Sequence, residues 1–164
     1  MKSIILFRHG QAESGSINRD HDCPLTYFGI REAEKMGRHL AQKDEFPDLV
    51  ITSTALRAKT TAEIAMASGD WNCPLHSNPD IYGCAQPFLL SLIKRQDNEY
   101  SSICLVGHEP NFSRFIASAT RMKYVCFPTA SMAKVEFNVI KWGDVIMDLG
   151  NLDWLLSPEH LFSM

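Results

Sequence analysis

What the 164-residue chain lacks narrows its possibilities first. No apolar run approaches the length of a bilayer-spanning helix. The start, one lysine and then a short apolar stretch with no small-residue cleavage site, does not read as a secretory leader. Positive charge is not in excess: 16 Lys and Arg face 19 Asp and Glu, a formal net charge of −3 that argues against a nucleic-acid-binding surface. None of the five cysteines (Cys23, Cys73, Cys84, Cys104, Cys126) forms a Cys-x-x-Cys pair. Neither a disulfide framework nor a zinc site is expected, and a reducing, cytoplasmic setting follows, with the thiols acting as small apolar fillers. There is no Gly-x-x-x-x-Gly-Lys-Ser/Thr loop to cradle a nucleotide and no His-Glu-x-x-His helix to hold zinc. No repeat, low-complexity tract or linker divides the chain, so residues 1–164 are expected to form one domain.

What is present is organised around the stretch Ile4-Ile5-Leu6-Phe7-Arg8-His9-Gly10. Four apolar residues read as a buried strand, and the run stops on a cation, an imidazole and a glycine. In an open α/β sheet, ligands bind outside the carboxyl ends of the strands, where Arg8 and His9 stand. Gly10 would let the backbone turn and approach a ligand closely. The polar stretch from Gln11 to Pro24 is long for a connecting loop, which favours a functional role.

The strand-end pattern recurs. A helix capped by Thr26 carries Ile30, Ala33, Met36, Gly37 and Leu40 at helical spacing, with Arg31, Glu32, Glu34, Lys35 and Arg38 on an expected solvated face. Leu49-Val50-Ile51 is a second buried strand, ending on Thr52-Ser53-Thr54 and leading to a helix with Ser53 or Thr54 as its cap. Arg57 then falls in or near the first turn, where a cation has the wrong sign for the helix dipole and asks for a nearby anion. Leu75-His76-Ser77 is a possible short strand, and Phe88 to Ile93 starts another helix. Ile103-Cys104-Leu105-Val106-Gly107-His108-Glu109-Pro110 repeats the opening, with Pro110 in the first turn of a helix bearing Phe112, Phe115, Ile116 and Ala119. Farther on, Ala133, Val135, Phe137 and Val139 alternate with polar residues, and Val145–Leu149 reads as the return strand of an antiparallel hairpin. The tail from Gly150 onward carries no visible chemistry.

The strand ends thus offer Arg8, His9, Arg57 and His108, with Thr52, Ser53 and His21 as outliers. Two guanidiniums and two imidazoles make an anion site, and arginine forks suit phosphate oxygens. Imidazole can act as a covalent nucleophile, so one histidine could accept a phosphoryl group while the other stabilises its charge. Such a set, poor in carboxylates, would repel a divalent cation, and no metal or cofactor is expected.

Four blocks carry a resemblance: Leu6-Phe7-Arg8-His9-Gly10, then Leu25-Thr26-x-x-Gly29, then Ser53-x-x-x-Arg57-Ala58-x-x-Thr61-Ala62, then Val106-Gly107-His108. In this order they resemble the histidine phosphatase superfamily, which includes the cofactor-dependent phosphoglycerate mutases. The short middle is similar to the bacterial SixA-type phosphohistidine phosphatases. The resemblance implies a three-layer α/β/α sandwich with a mixed, mainly parallel sheet. It implies His9 as phosphoryl acceptor, Arg8, Arg57 and His108 as catalytic and phosphate-binding partners, and a histidine-phosphorylated protein as substrate of a cytoplasmic monomer. Two positions depart from it. Where many members carry an arginine before Pro-Leu-Thr, this chain has Cys23, with Arg19 or His21 as substitutes. Where larger members carry a general acid, only Asp80 is at hand, and Glu109 suits a helix cap. A missing acid favours phosphohistidine, because a departing imidazole, with an ordinary pKa of about 6.5, needs little protonation. A small-molecule phosphomonoesterase and a non-catalytic phosphate or phosphoprotein binder are the competing readings.

Overall fold

The computed structural model describes residues 1–14, 19–83 and 85–162, so Cys84 and part of the Gln11–Pro24 stretch lie outside the described residues. Six strands form one sheet in the order β3-β2-β4-β1-β5-β6. They are β1 (Lys2–Arg8), β2 (Leu49–Ser53), β3 (Leu75–Asn78), β4 (Ser102–Gly107), β5 (Met132–Phe137) and β6 (Asn151–Leu156). The first four run parallel, while β5 pairs antiparallel with β1 and β6 antiparallel with β5. The helices are α1 (Tyr27–Gln42), α2 (Leu56–Gly69), α3 (Gln86–Lys94), α4 (Asn111–Thr120) and a short α5 (Pro158–Phe162).

Alternation along β1 sorts the core into two layers, because successive strand side chains face opposite sides. Ile4 and Leu6 join Leu89, Ile93, Phe112, Phe115 and Ile116 of α3 and α4, together with Trp142. Ile5 and Phe7 join Met36 and Leu40 of α1, Ala58, Ala62 and Ala65 of α2, and Leu161 of α5. Helices therefore cover both faces of a mixed sheet, the expected sandwich.

Three local expectations need correction. The return strand is β6, not Val145–Leu149. Val145 instead sinks into the core beside Trp142, Ile146 and Leu149 stay exposed, and Asp148 adopts φ 77°. The segment is tied to α4 by Asp148 N–H to Ser118 O at 3.1 Å and Gly150 N–H to Ala119 O at 2.9 Å. The tail after Gly150 accordingly supplies a strand and a helix. Next, α2 starts without a side-chain cap: its cap position is Ala55, and Ser53 Oγ accepts the Ala55 N–H at 3.2 Å. Thr26 does cap α1, accepting the Gly29 N–H at 3.0 Å. Finally, Glu32 is not on the solvated face; it is 4% exposed.

Gly10 and Gly29 have a reason in the packing. A Cβ on Gly10 would meet Gly29 O at 2.7 Å, and one on Gly29 would meet Gln11 O at 2.1 Å. The first turn of α1 rests directly on the backbone that follows His9, so Gly10 serves a close backbone approach inside the protein.

Candidate active site

The carboxyl ends of β1, β2 and β4 converge on one cleft of about 420 Å³, lined by Arg8, His9, Cys23, Arg57, His108 and Glu109 among others. All four residues expected from the sequence meet here. The His9 and His108 rings lie with centroids 5.3 Å apart, and each residue is 8% exposed.

His9 has a defined tautomer. Its Nδ1 lies 2.7 Å from Gly10 O, an acceptor only, so Nδ1 carries the hydrogen. Nε2 is then the lone-pair nitrogen, and it accepts from Arg57 Nε at 3.3 Å. Burial, and after it the Arg57 and Arg8 charges, lower the His9 pKa to about 4 against the opposing Gly10 hydrogen bond. The ring is neutral near pH 7, the state a nucleophilic imidazole requires.

His108 is held from behind. Its Nε2 meets Ser53 Oγ at 2.8 Å, and that oxygen already accepts the Ala55 N–H. The Ser53 oxygen keeps one hydrogen and one lone pair, so it can pair with Nε2 in either tautomer of the neutral ring. Burial first, then His9 and Arg57, lower its pKa to about 3. His108 Nδ1 and Arg8 Nε are both buried and have no partner among the described residues. Buried polar nitrogens are rarely left open without a use, and two of them on one cleft wall, the Arg8 Nε–H among them, suit an oxyanion.

Arg8 is fixed through Nη1 to Phe127 O at 3.0 Å, and burial lowers its pKa. The loop after His9 is fastened by Gly10 N–H to Thr61 Oγ1 at 3.0 Å and by Gln11 N–H to Glu32 Oε1 at 2.9 Å. Glu32 also accepts from Thr129 Oγ1 at 3.2 Å, linking the nucleophile loop to the segment that holds Arg8. The signal for Glu32 was in the sequence: it falls three residues after Gly29 and four before Met36, on the apolar stripe.

Other expected residues lie elsewhere. Neither Arg19 nor His21 lines the cleft beside Cys23; His21 Nε2 meets Thr54 Oγ1 at 3.0 Å. Asp80 is exposed outside the cleft, where Asn78 Oδ1 accepts its backbone N–H. Glu109 lines the cleft but accepts the Ser113 N–H at 2.7 Å through Oε1, the helix-capping role. The residue that sequence reasoning missed is Asp20. It pairs with Arg57 through Nη2 at 3.1 Å and accepts from Tyr82 Oη, and both interactions lower its pKa, the Tyr82 hydrogen bond most.

A sheet whose strand ends present a neutral histidine nucleophile between two arginines and a second histidine defines a class, proteins built to receive a phosphoryl-like oxyanion. The family model of the histidine phosphatase superfamily (branch 1) matches residues 4–82. The full-length fold is similar to the crystal structure of a protein assigned as the phosphohistidine phosphatase SixA from Agrobacterium tumefaciens. The TM-score is 0.83 at 25% identity, over 96% of this chain and 98% of that one. The chain is thus similar to the histidine phosphatase superfamily in sequence over residues 4–82 and in fold over 96% of its length. An uncharacterized protein of Mycobacterium tuberculosis is 33% identical over 106 residues, a stretch that spans 65% of each chain. A 2,3-bisphosphoglycerate-dependent phosphoglycerate mutase of Bifidobacterium longum is 40% identical over 70 residues, covering 41% of this chain and 28% of the mutase. A mycobacterial glucosyl-3-phosphoglycerate phosphatase shares the fold at a TM-score of 0.70 and 14% identity, over 94% of this chain and 98% of that one.

Proposed function

We propose that this protein is a metal-independent phosphatase that removes the phosphoryl group from a histidine of another protein by way of a phosphoryl group carried on His9. The observation that carries the reading is the aim of His9: Nδ1–H is fixed on Gly10 O, leaving the Nε2 lone pair facing Arg57 inside a cationic cleft. Nε2 attacks phosphorus, the bond to the substrate imidazole breaks, and that ring leaves with the bonding pair and takes a proton from solvent. Water then attacks phosphorus on His9, releasing inorganic phosphate and restoring the neutral ring. Arg8, Arg57 and His108 would bear on the phosphoryl oxygens, where charge-assisted bonds gain most in the transition state.

The substrate class follows from proton supply. Of the three described carboxylates that line the cleft, Asp20 is held as an anion by Tyr82 and Arg57, Glu109 is engaged by a helix N–H, and Glu13 stands exposed at the rim. An alkoxide leaving group needs a donor worth roughly a hundred- to ten-thousandfold in rate. A departing imidazole needs far less, and exchanging one phosphorus–imidazole bond for another is close to thermoneutral.

The test is kcat/KM for a phosphorylated histidine-phosphotransfer domain against p-nitrophenyl phosphate, phosphoserine and sugar phosphates, in chelator. The phosphohistidine protein should be the best substrate and chelator should not matter. Better turnover of any monoester would put a small-molecule phosphatase in its place. Binding without turnover would favour a phosphoprotein-binding module.

A further inference from the structure

Arg57 stands in the first turn of α2, where the helix dipole disfavours a cation, and the anion that offsets this is the protein's own Asp20. The two residues meet in an ordered way. The outer nitrogens of the guanidinium are both spent on Asp20, Nη1 on its backbone carbonyl at 2.7 Å and Nη2 on Oδ2 at 3.1 Å. The inner nitrogen, Nε, is thereby turned to His9 Nε2. Asp20 is itself held, since the Tyr82 hydroxyl donates to the same Oδ2. Tyr82 is braced in turn, its ring edge-on to His21 at 5.0 Å and to His108 at 5.5 Å between centroids.

We propose that Asp20 is a positioning residue: with Tyr82 behind it, it clamps the outer edge of the Arg57 fork so that the inner Nε–H faces the phosphoryl group on its way to His9. The proposal rests on the phosphatase reading above and adds to it a source of specificity for geometry. Arginine has a long, rotamer-rich stem, and a cation that is aimed before substrate arrives stabilises the transition state without reorganising. The Asp20 side chain is 69% exposed, so the ion pair adds little to stability. Its value lies in orientation.

The experiment compares Asp20→Ala, Asp20→Asn and Tyr82→Phe in the full chain by two readouts. The first needs no turnover: exchange of the Arg57 Nε–H proton with water in arginine-labelled protein, its resonance assigned with Arg57→Lys. Wild type should show slow exchange, Asp20→Ala fast exchange, and Asp20→Asn, which keeps a carbonyl acceptor, should restore most of the protection. The second is p-nitrophenyl phosphate turnover with vanadate and inorganic phosphate as inhibitors. Asp20→Ala should lower kcat about ten- to a hundredfold, the cost of a slightly misplaced group, with KM little changed. Vanadate, which resembles the transition state, should weaken by a similar factor and phosphate much less. Tyr82→Phe should shift both readouts in the same direction by less. Tighter phosphate and vanadate binding in Asp20→Ala would overturn the proposal by showing that Asp20 competes with substrate for Arg57. Unchanged exchange and unchanged kcat would overturn it by showing a surface ion pair only. Wild type that neither turns over nor binds vanadate would defeat the phosphatase reading, while the exchange measurement still decides the clamp.

Discussion

The two ends of the parallel strands bury charge in opposite ways. At the amino end, Lys2 is almost completely buried, and its ammonium donates to Asn98 O at 2.6 Å and Tyr100 O at 2.7 Å while lying 5.4 Å from the Trp142 ring centre. Even the exposed Asp48, just before β2, accepts the Ser101 and Ser102 N–H groups at 2.8 and 3.1 Å. At the carboxyl end, Arg8 Nε and His108 Nδ1 have no partner among the described residues, and both histidines are held neutral by burial. A charge kept for the fold is saturated by partners, whereas a charge kept for chemistry is left with open donors. That under-pairing costs stability, which the rest of the core must offset.

The largest way to break this contrast is to remove a cation from the carboxyl end. Arg57→Ala and Arg8→Ala should lower kcat/KM by about two to four orders of magnitude, the scale of losing a principal oxyanion stabiliser, with the variants still folded by circular dichroism. A loss below tenfold for both would place the phosphoryl group elsewhere.

Acid should sharpen the contrast next. His9 and His108 have folded pKa values lowered to about 4 and about 3 from an ordinary 6.5. The unfolded chain therefore binds more protons between those values, and stability that is complete above pH 6.5 drains away as pH falls toward 4 and then 3. Urea midpoints at pH 7 and pH 4.5 should show this loss, and His108→Gln should reduce it. An NMR titration in which the His9 ring protonates near pH 6.5 would contradict the buried, neutral nucleophile.

The smallest effect is expected at the other end. Lys2→Met should cost about 1.5–3 kcal/mol of stability, the range for hydrogen bonds to a charged group, and leave kcat/KM unchanged. A fall in kcat/KM would mean that the two ends are coupled through β1.

How much of this was legible in the sequence depends on where each residue sits. Arg8, His9 and His108 stood out because a four-residue apolar run stops abruptly on polar groups, a pattern that survives folding. Arg57 stood out by its wrong sign at a helix start. Its partner did not, since Asp20 lies in an aperiodic stretch and reaches Arg57 only because the chain between them forms α1 and β2. Glu32 was hidden among the charged residues of an amphipathic helix, where charge suggests solvent unless its place on the apolar stripe is weighed. Val145–Leu149 imitated a strand because its apolar residues are split between core and surface, while β6, Asn151–Leu156, carries a weaker pattern and takes its place through pairing with β5. Local patterns revealed the framework and the nucleophile. Contacts between distant loops, which built the rest of the site, left no local trace.

The most direct test of the account is to trap the phosphoryl group on the protein. Rapid quenching of wild-type protein with a labelled phosphohistidine substrate should give an adduct that is labile in acid and stable in alkali, mapped to the peptide bearing His9 and absent from His9→Ala. Because Nδ1 is tied to Gly10 O, the phosphoryl group should be on Nε2. An adduct that persists in His9→Ala, or that maps to His108 or Cys23, would contradict the assignment of His9 as the acceptor.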